Sequence, residues 1–238
     1  MTSSENFSVT SIVPVYNGGL YLAEALESLL KQTLPANEII VLDDGSTDDT
    51  QRIAASFGHQ LKYYHQSHQG CAAGRNAAIL KASEELLAFQ DSDDIAAVDR
   101  LEKQVNAFRE DPKLEIVFGH MKEFVSPELA ESFKKRFSVA PQAQPACCSG
   151  LMMMRKSSFH RIGLFDPELK VGYFLKWYAR AKELNLKIKI LPDLLIHRRI
   201  HHSNDSLNNP LLPIEFGKVL KDLMDKKRMV SGENFPYK

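Results

Sequence analysis

The sequence predicts an α/β fold, with a mainly parallel central sheet flanked by helices and a smaller second region. Three observations carry this expectation. Over the first 125 residues, short apolar runs alternate with amphipathic stretches, as in successive βα units. Three of those runs end in clusters of polar residues, and the carboxyl ends of parallel strands are where open α/β sheets collect ligands. Composition is ordinary for a folded chain, 44% hydrophobic and 25% charged, which excludes a fully disordered protein.

The elements are expected in this order. Residues 9–16 form a strand ended by Gly18 and Gly19, and residues 21–30 place Leu22, Ala25, Leu26, Leu29 and Leu30 at helical spacing. Pro35 breaks that helix before a strand at 38–43, apolar on both faces as buried parallel strands are. Ser46 or Thr47 is placed to cap a helix running to about Phe57. Residues 61–65 and 86–89 read as strands with a helix at 72–82 between them, and a helix at 99–109 stops at Pro112 before a strand at 116–118. Residues 126–150, with Pro127, Pro141, Pro145 and the basic run 134–136, read as an irregular connection suited to a lid. Beyond it come a strand at 151–154, helices at 156–162 and 175–184, strands at 187–190 and 194–197, and a helix at 213–228 with a basic end.

The 238 residues hold 30 basic and 30 acidic side chains, but these are unevenly placed. Residues 1–111 hold 8 basic and 17 acidic residues, a net of −9, and residues 112–238 hold 22 and 13, a net of +9. A zero total argues against a nucleic-acid partner, because non-specific duplex binding needs a basic surplus. Cys71, Cys147 and Cys148 make neither a disulfide framework nor a C-x-x-C metal spacing, so reduced thiols in the cytoplasm are expected. The first seven residues are polar, without the apolar core of a signal peptide. The uncharged stretch 137–154, which no other exceeds in length, contains two prolines and two glutamines, so no membrane span is expected.

The chemistry is concentrated in two acidic turns, which hold Asp43, Asp44, Asp48 and Asp49, then Asp91, Asp93 and Asp94. Crowded carboxylates repel unless hydrogen-bonded, ligand-paired or neutralised by a metal. Helix capping and first-turn acids account for Asp44, Asp48, Asp49 and Asp94. Asp91 and Asp93 together are left for a divalent cation and a polar ligand, and hard oxygen donors point to Mg²⁺ or Mn²⁺.

The order of VTSIVPVYN (9–17), DDGSTD (43–48), GCAAGRN (70–76) and DSDD (91–94) resembles the family 2 glycosyltransferases of the GT-A fold. GLFDP (163–167) and RIH (199–201) are similar to two later elements of that family, so the resemblance covers roughly 8–207. It implies a nucleotide-sugar-binding half over 1–125, an acceptor-side half over 126–210, and a helical extension over 211–238. It further implies that Pro14, Tyr16 and Asn17 border the base and that Asp44 hydrogen-bonds base or ribose. Arg75 would face the phosphates, while Asp91 and Ser92 would lie near the ribose or donor sugar. Asp93 and His201 would hold the metal, with Arg199 on the diphosphate. The implied reaction is inverting transfer from a nucleotide-activated sugar to a saccharide, lipid-linked or protein acceptor, in the cytoplasm or at the cytoplasmic face of a membrane.

The sequence departs from that pattern at one place. The family's catalytic base is an Asp of an E-D pair shortly after the G-x-F-D turn, but Tyr173 and Phe174 stand there, with Lys176 following. Asp166 and Glu168 are the remaining carboxylates nearby. A non-catalytic nucleotide-sugar-binding module is therefore the alternative reading. A phosphoryl-transfer or receiver-like α/β domain is a third, though neither G-x-x-x-x-G-K-[ST] nor G-x-G-x-x-G occurs. His65 and His68 read as loop histidines, Trp177 suits either core packing or a sugar ring, and Asn204 begins a chance glycosylation acceptor pattern.

Overall fold

Alternating side chains on strand β1 (Val9–Val15) set the layering of the molecule. Ile12 packs into one apolar cluster, while Val13 and Val15 pack into another on the opposite face. The computed structural model describes residues 7–204 and 212–231. The reading of the extreme N-terminus, and Asp205 and Ser206 of the acceptor pattern, lie outside the described residues.

After β1 come α1 (Leu22–Leu30), β2 (Glu38–Asp43), α2 (Thr50–Ser56), β3 (Lys62–His65), α3 (Cys71–Lys81) and β4 (Leu86–Phe89). The short β5 (Ile95–Ala96) precedes α4 (Arg100–Glu110), β6 (Ile116–Val125), α5 (Glu131–Lys134), β7 (Gln144–Ala146) and β8 (Met153–Arg155). Then follow α6 (Lys156–Ile162), α7 (Tyr173–Glu183), β9 (Ile188–Ile200) and α8 (Leu212–Ser231). The strands form one sheet in the order β3-β2-β1-β4-β8-β6-β9-β5, with β7 added to β6. Its first four strands are mutually parallel, as are β6 and β9. β8 runs antiparallel between β4 and β6 and so joins the two halves.

Helices α3, α6 and α7 cover one face, burying Leu87, Phe118, Phe159, Phe165 and Trp177. On the other face α1 and α2 cover Val13, Val41 and Leu26, and α4 covers Leu86, Met153 and Leu195. Trp177 is fully buried, stacks on Phe159 and donates its indole N–H to the Gly163 carbonyl at 2.9 Å, so it is core. Among the described residues no helix is long and apolar enough to cross a membrane.

Several expected elements are corrected. The strand expected at 151–154 begins as a 3-10 turn, Ser149–Leu151, because Gly150 and the following backbone bend around Asp91 before β8 starts. The two strands expected at 187–190 and 194–197 are one continuous strand, β9. Pro192 is tolerated inside it because the ladder shifts register there, passing from Phe118↔Ile190 to His120↔Leu194. β6 runs on to Val125 rather than ending at 118, since β9 supplies a partner along that whole length. The connection read as irregular contains α5 and β7, and α7 starts at Tyr173, two residues early.

Candidate functional site

The site is built where β1, β2 and β4 end. Val15 pairs with Asp43, so the turns after β1 and β2 emerge side by side. Asn17 adopts φ +49°, a left-handed conformation that asparagine tolerates. Its backbone N–H donates to Ser46 Oγ at 2.8 Å, and its Oδ1 accepts the Thr47 N–H at 2.8 Å. Asp48 caps the opening of α2 through Thr50 and accepts the Gly19 N–H at 2.8 Å. Burial pushes its carboxyl up, but the hydrogen bonds from Thr50 and Gly19 outweigh that and hold it below the usual range.

Asp43 accepts the Ser46 N–H at 2.7 Å and the Tyr63 hydroxyl at 2.6 Å. Asp44 is buried and organises the loop ahead of α3. Gln66 Nε2 donates to it at 2.6 Å, the Gly70 N–H at 2.7 Å and the Gln69 N–H at 3.0 Å. The same loop brings the His68 ring against Tyr16, centroids 4.1 Å apart and stacked, with Tyr16 49% exposed. This pair makes a flat aromatic ledge beside half-buried Pro14. Sequence reasoning missed the part of His68, because no spacing links positions 16 and 68; the β1–β2 and β2–β3 pairings, with Asp44 holding the loop after β3, bring them together.

The third turn follows β4. Asp91 pairs with Arg75 of α3, whose guanidinium also donates to Cys71 Sγ at 2.6 Å and lies over the Tyr173 ring. A Cβ on Gly150 would come within 2.5 Å of Asp91 Oδ2, so the carboxylate sits in a notch that only glycine leaves open. Burial raises the Asp91 carboxyl above its ordinary range against the pull of Arg75, with Asp93 pushing the same way. Asp94 is raised further by burial and by its two neighbours, and accepts the Arg199 N–H at 2.9 Å. Half-buried Ser92 lies over Gly18.

Asp93 Oδ2 meets His201 Nε2 at 2.8 Å and accepts from Asn204 Nδ2 at 3.1 Å. The Asn204 amide, which the sequence offered as a glycosylation acceptor, thus points inward, and its Oδ1 accepts the His201 N–H at 2.6 Å. A separation of 2.8 Å suits two adjacent ligands of one octahedral ion, whose ligands stand about 2.1 Å from the metal. The Ser203 N–H faces His201 Nδ1 at 3.2 Å, which keeps the ring proton on Nε2. An ion would replace that proton, and the Ser203 contact would open as the ring changes tautomer. Among the described residues no cluster of three or more His, Cys, Asp or Glu can hold a metal. Any further ligands would come from a bound molecule or water, as is usual for Mg²⁺.

Arg199 lies elsewhere than on an open face. Its guanidinium pairs with Glu24, donates to Ser126 Oγ at 3.0 Å and to the Asp93 carbonyl at 3.0 Å, and is sandwiched by Tyr21 and Phe124. It braces the Asp93 turn from behind. Asp166 is held by Lys176 at 2.7 Å, and that bond, with the Glu168 N–H, keeps its carboxyl below the usual range. Glu168 is exposed. The Tyr173 hydroxyl, where an acid was expected, lies 3.4 Å from Ser149 Oγ and 3.6 Å from Cys71 Sγ.

Residues 10–163 match the family described as Glycosyl transferase family 2. An uncharacterized glycosyltransferase of Rickettsia typhi is 31% identical over 215 residues, 84% of this chain and 67% of the relative. A second, from Rickettsia felis, is 28% identical over 96% of this chain, which spans only 40% of that relative's length. Among solved structures, S. aureus TarS 1–349 in complex with UDP-GlcNAc superposes with a TM-score of 0.70 at 23% identity, covering 91% of this chain and 65% of that one. A complex of the same TarS fragment with UDP gives a TM-score of 0.65 at 24% identity.

Proposed function

The chain belongs to glycosyl transferase family 2, and from that premise we propose that it transfers a sugar from a nucleoside diphosphate donor to a hydroxyl acceptor, with inversion and with Mn²⁺ or Mg²⁺. One observation carries the reading: three strand-end turns bring an aromatic ledge, the Asp91–Arg75 pair and the Asp93–His201 pair to one edge of the sheet. The TarS complexes with UDP and UDP-GlcNAc support a uridine nucleotide as the donor's leaving group.

In this mechanism Tyr16 and His68 stack on the base, and Asp44 acts at one remove by holding the loop that carries His68. Asp91, kept in its notch by Arg75 and Gly150, orients the ribose or sugar hydroxyls with Ser92. Asp93 and His201 hold the cation. When bound, that ion stabilises charge on the diphosphate as the bond to the sugar breaks. Arg199 acts as a positioning residue that fixes the Asp93 carbonyl. The acceptor oxygen forms the new bond to the sugar carbon as the sugar's bond to the diphosphate breaks, and its proton passes to water or to the departing diphosphate. Asp166 is a poor taker of that proton, because a base works best with its pKa near the working pH and Lys176 holds this one low. Tyr173 in the acid's place favours the second reading, a nucleotide-sugar-binding module without turnover.

A thermal-shift series tests the proposal. UDP with Mn²⁺ is expected to raise the melting temperature, and Asp93→Ala to remove the metal-dependent part of the rise. Absence of any shift with common nucleoside diphosphates would sink both readings. Donor hydrolysis or transfer lost in Asp91→Ala decides for the enzyme over the binding module. We place the protein in the cytoplasm or at the cytoplasmic face of a membrane, a reading supported by three free cysteines.

A further inference from the structure

Asp93 and His201 come from segments 108 positions apart, and two such side chains hold one ion well only if both are fixed at a common spacing. Asn204 does that fixing. It stands just beyond the end of β9, is 7% exposed, and touches both residues. Its Nδ2 donates to Asp93 Oδ2 at 3.1 Å, the same oxygen that faces His201 Nε2. Its Oδ1 accepts the His201 N–H at 2.6 Å, and its own backbone N–H donates to the His201 carbonyl at 3.3 Å. Both backbone groups of His201 are thus engaged by one residue, while Tyr21 packs on the imidazole with ring centroids 4.5 Å apart. Only one orientation of the amide serves both partners, since a flipped group would set oxygen against carboxylate and N–H against N–H.

This contact differs in kind from the one at Asp91. There the Arg75 guanidinium offsets the carboxylate's charge from within the protein. Asp93 is held by a neutral amide, which orients the carboxylate and brings no positive charge to compete with a metal ion. A carboxylate oxygen has two lone pairs, so with one engaged by Asn204 the other stays directed at His201.

We propose that Asn204 is a positioning residue of the cation pair. It holds Asp93 and His201 at one spacing, and so sets how far a divalent cation strengthens binding of the nucleoside diphosphate. The proposal rests on the transferase reading, and adds to it a residue that the sequence singled out only within a glycosylation pattern.

Calorimetric titration of the full chain with UDP, once in MnCl₂ and once in EDTA, gives the gain in affinity that the cation supplies. Asn204→Leu keeps the size of the side chain and removes its polar contacts. In this variant the gain is expected to fall roughly tenfold or more, while UDP affinity in EDTA stays within about twofold of wild type. A general loosening of the fold would lower both affinities together, so equal losses in Mn²⁺ and in EDTA would overturn the proposal. A gain within about twofold of wild type would overturn it too, and would leave the transferase reading standing. Wild-type protein that binds UDP equally well in both conditions would remove the cation from that reading and this proposal with it. Wild-type protein that binds no UDP in either would reject both. Should Asn204→Leu not fold, the wild type answers through the Asn204 side-chain amide in a proton–nitrogen NMR spectrum recorded with UDP. Its signals are expected to shift as Mg²⁺ is added, and unmoved signals would overturn the proposal.

Discussion

Asn76 shows how one side chain positions a segment far away in sequence. From α3 its Nδ2 donates to the Phe165 carbonyl at 2.8 Å and its Oδ1 accepts the Phe165 N–H at 3.0 Å, both in the interior. Phe165 in turn packs on Phe89, Phe159 and Trp177, so the amide pins the turn before α7 to the half of the sheet built from β1 to β4. Asn76→Ala leaves a buried N–H and a buried C=O without partners, and the expected cost is about 2–4 kcal/mol of stability, read by urea unfolding. A loss under about 0.5 kcal/mol would mean that water takes over both bonds. The motif GCAAGRN was legible in the sequence, but the outcome for its two polar residues was not. Asn76 faces the later half, and Arg75 is shut in behind Asp91 rather than turned outward, because the packing of α3 against α7 encloses it.

At the scale of elements, the turn after β2 carries the most consequence. Gly45 has φ +84°, and a Cβ there would meet the His68 backbone nitrogen at 2.7 Å. Gly45→Ala therefore carries about 1–2 kcal/mol of backbone strain, plus a displacement of the 66–70 loop, since the clash is with backbone. The expected result is a lower melting temperature and a weakened response to UDP, with Tyr16 no longer stacked on His68. Retention of the full UDP shift in this variant would show that the ledge takes no part in binding. Strand periods and breakers placed β1, β2, β4 and their helices within a residue or two. They failed for β9, where Pro192 and Asp193 look like a turn until the register shift opposite β6 is seen. They also failed for β7, only three residues long and held by its pairing with β6.

For the whole molecule, the acid limb of stability draws on Glu128 and Glu38, which tie distant segments together, alongside Asp48 and Asp166. Glu128 accepts the Tyr21 hydroxyl at 2.5 Å and the Ser126 hydroxyl at 2.7 Å, and these bonds lower its pKa from 4.5 to about 2. In Glu38 burial pushes the carboxyl up, but Lys62, Thr10 and the Ser83 N–H overcome that and the net shift is downward. A carboxyl depressed in the folded state binds fewer protons there than in the unfolded chain. Its stabilisation is complete above 4.5 and is lost as pH falls from there towards about 2. The melting temperature is expected to decline across that window, and Glu128→Gln to flatten part of the decline while leaving the Glu38 share. A Glu128→Gln profile parallel to wild type over the whole window would remove Glu128 from this account. The opposed charges of the two halves take on a structural meaning at this scale. The acidic half supplies the turns that would hold a cation, and the basic half meets them at the end of β9, where Arg199 and, just past the strand, His201 reach Asp93.

The sequence alone determined the βα order of the first half and the family, and it singled out the acidic turns at the strand ends. Each of these is a local property, set by residue type, period and spacing along the chain. The tertiary structure decided which side chains gather at the strand-end edge of the sheet, because that depends on contacts between residues 29 to 175 positions apart. It turned Arg199 inward onto Glu24, closed Asp44 beneath its loop, and joined Tyr16 to His68. It also placed Tyr173 against Ser149 and Cys71 at the start of α7, in the position where the family resemblance called for a carboxylate.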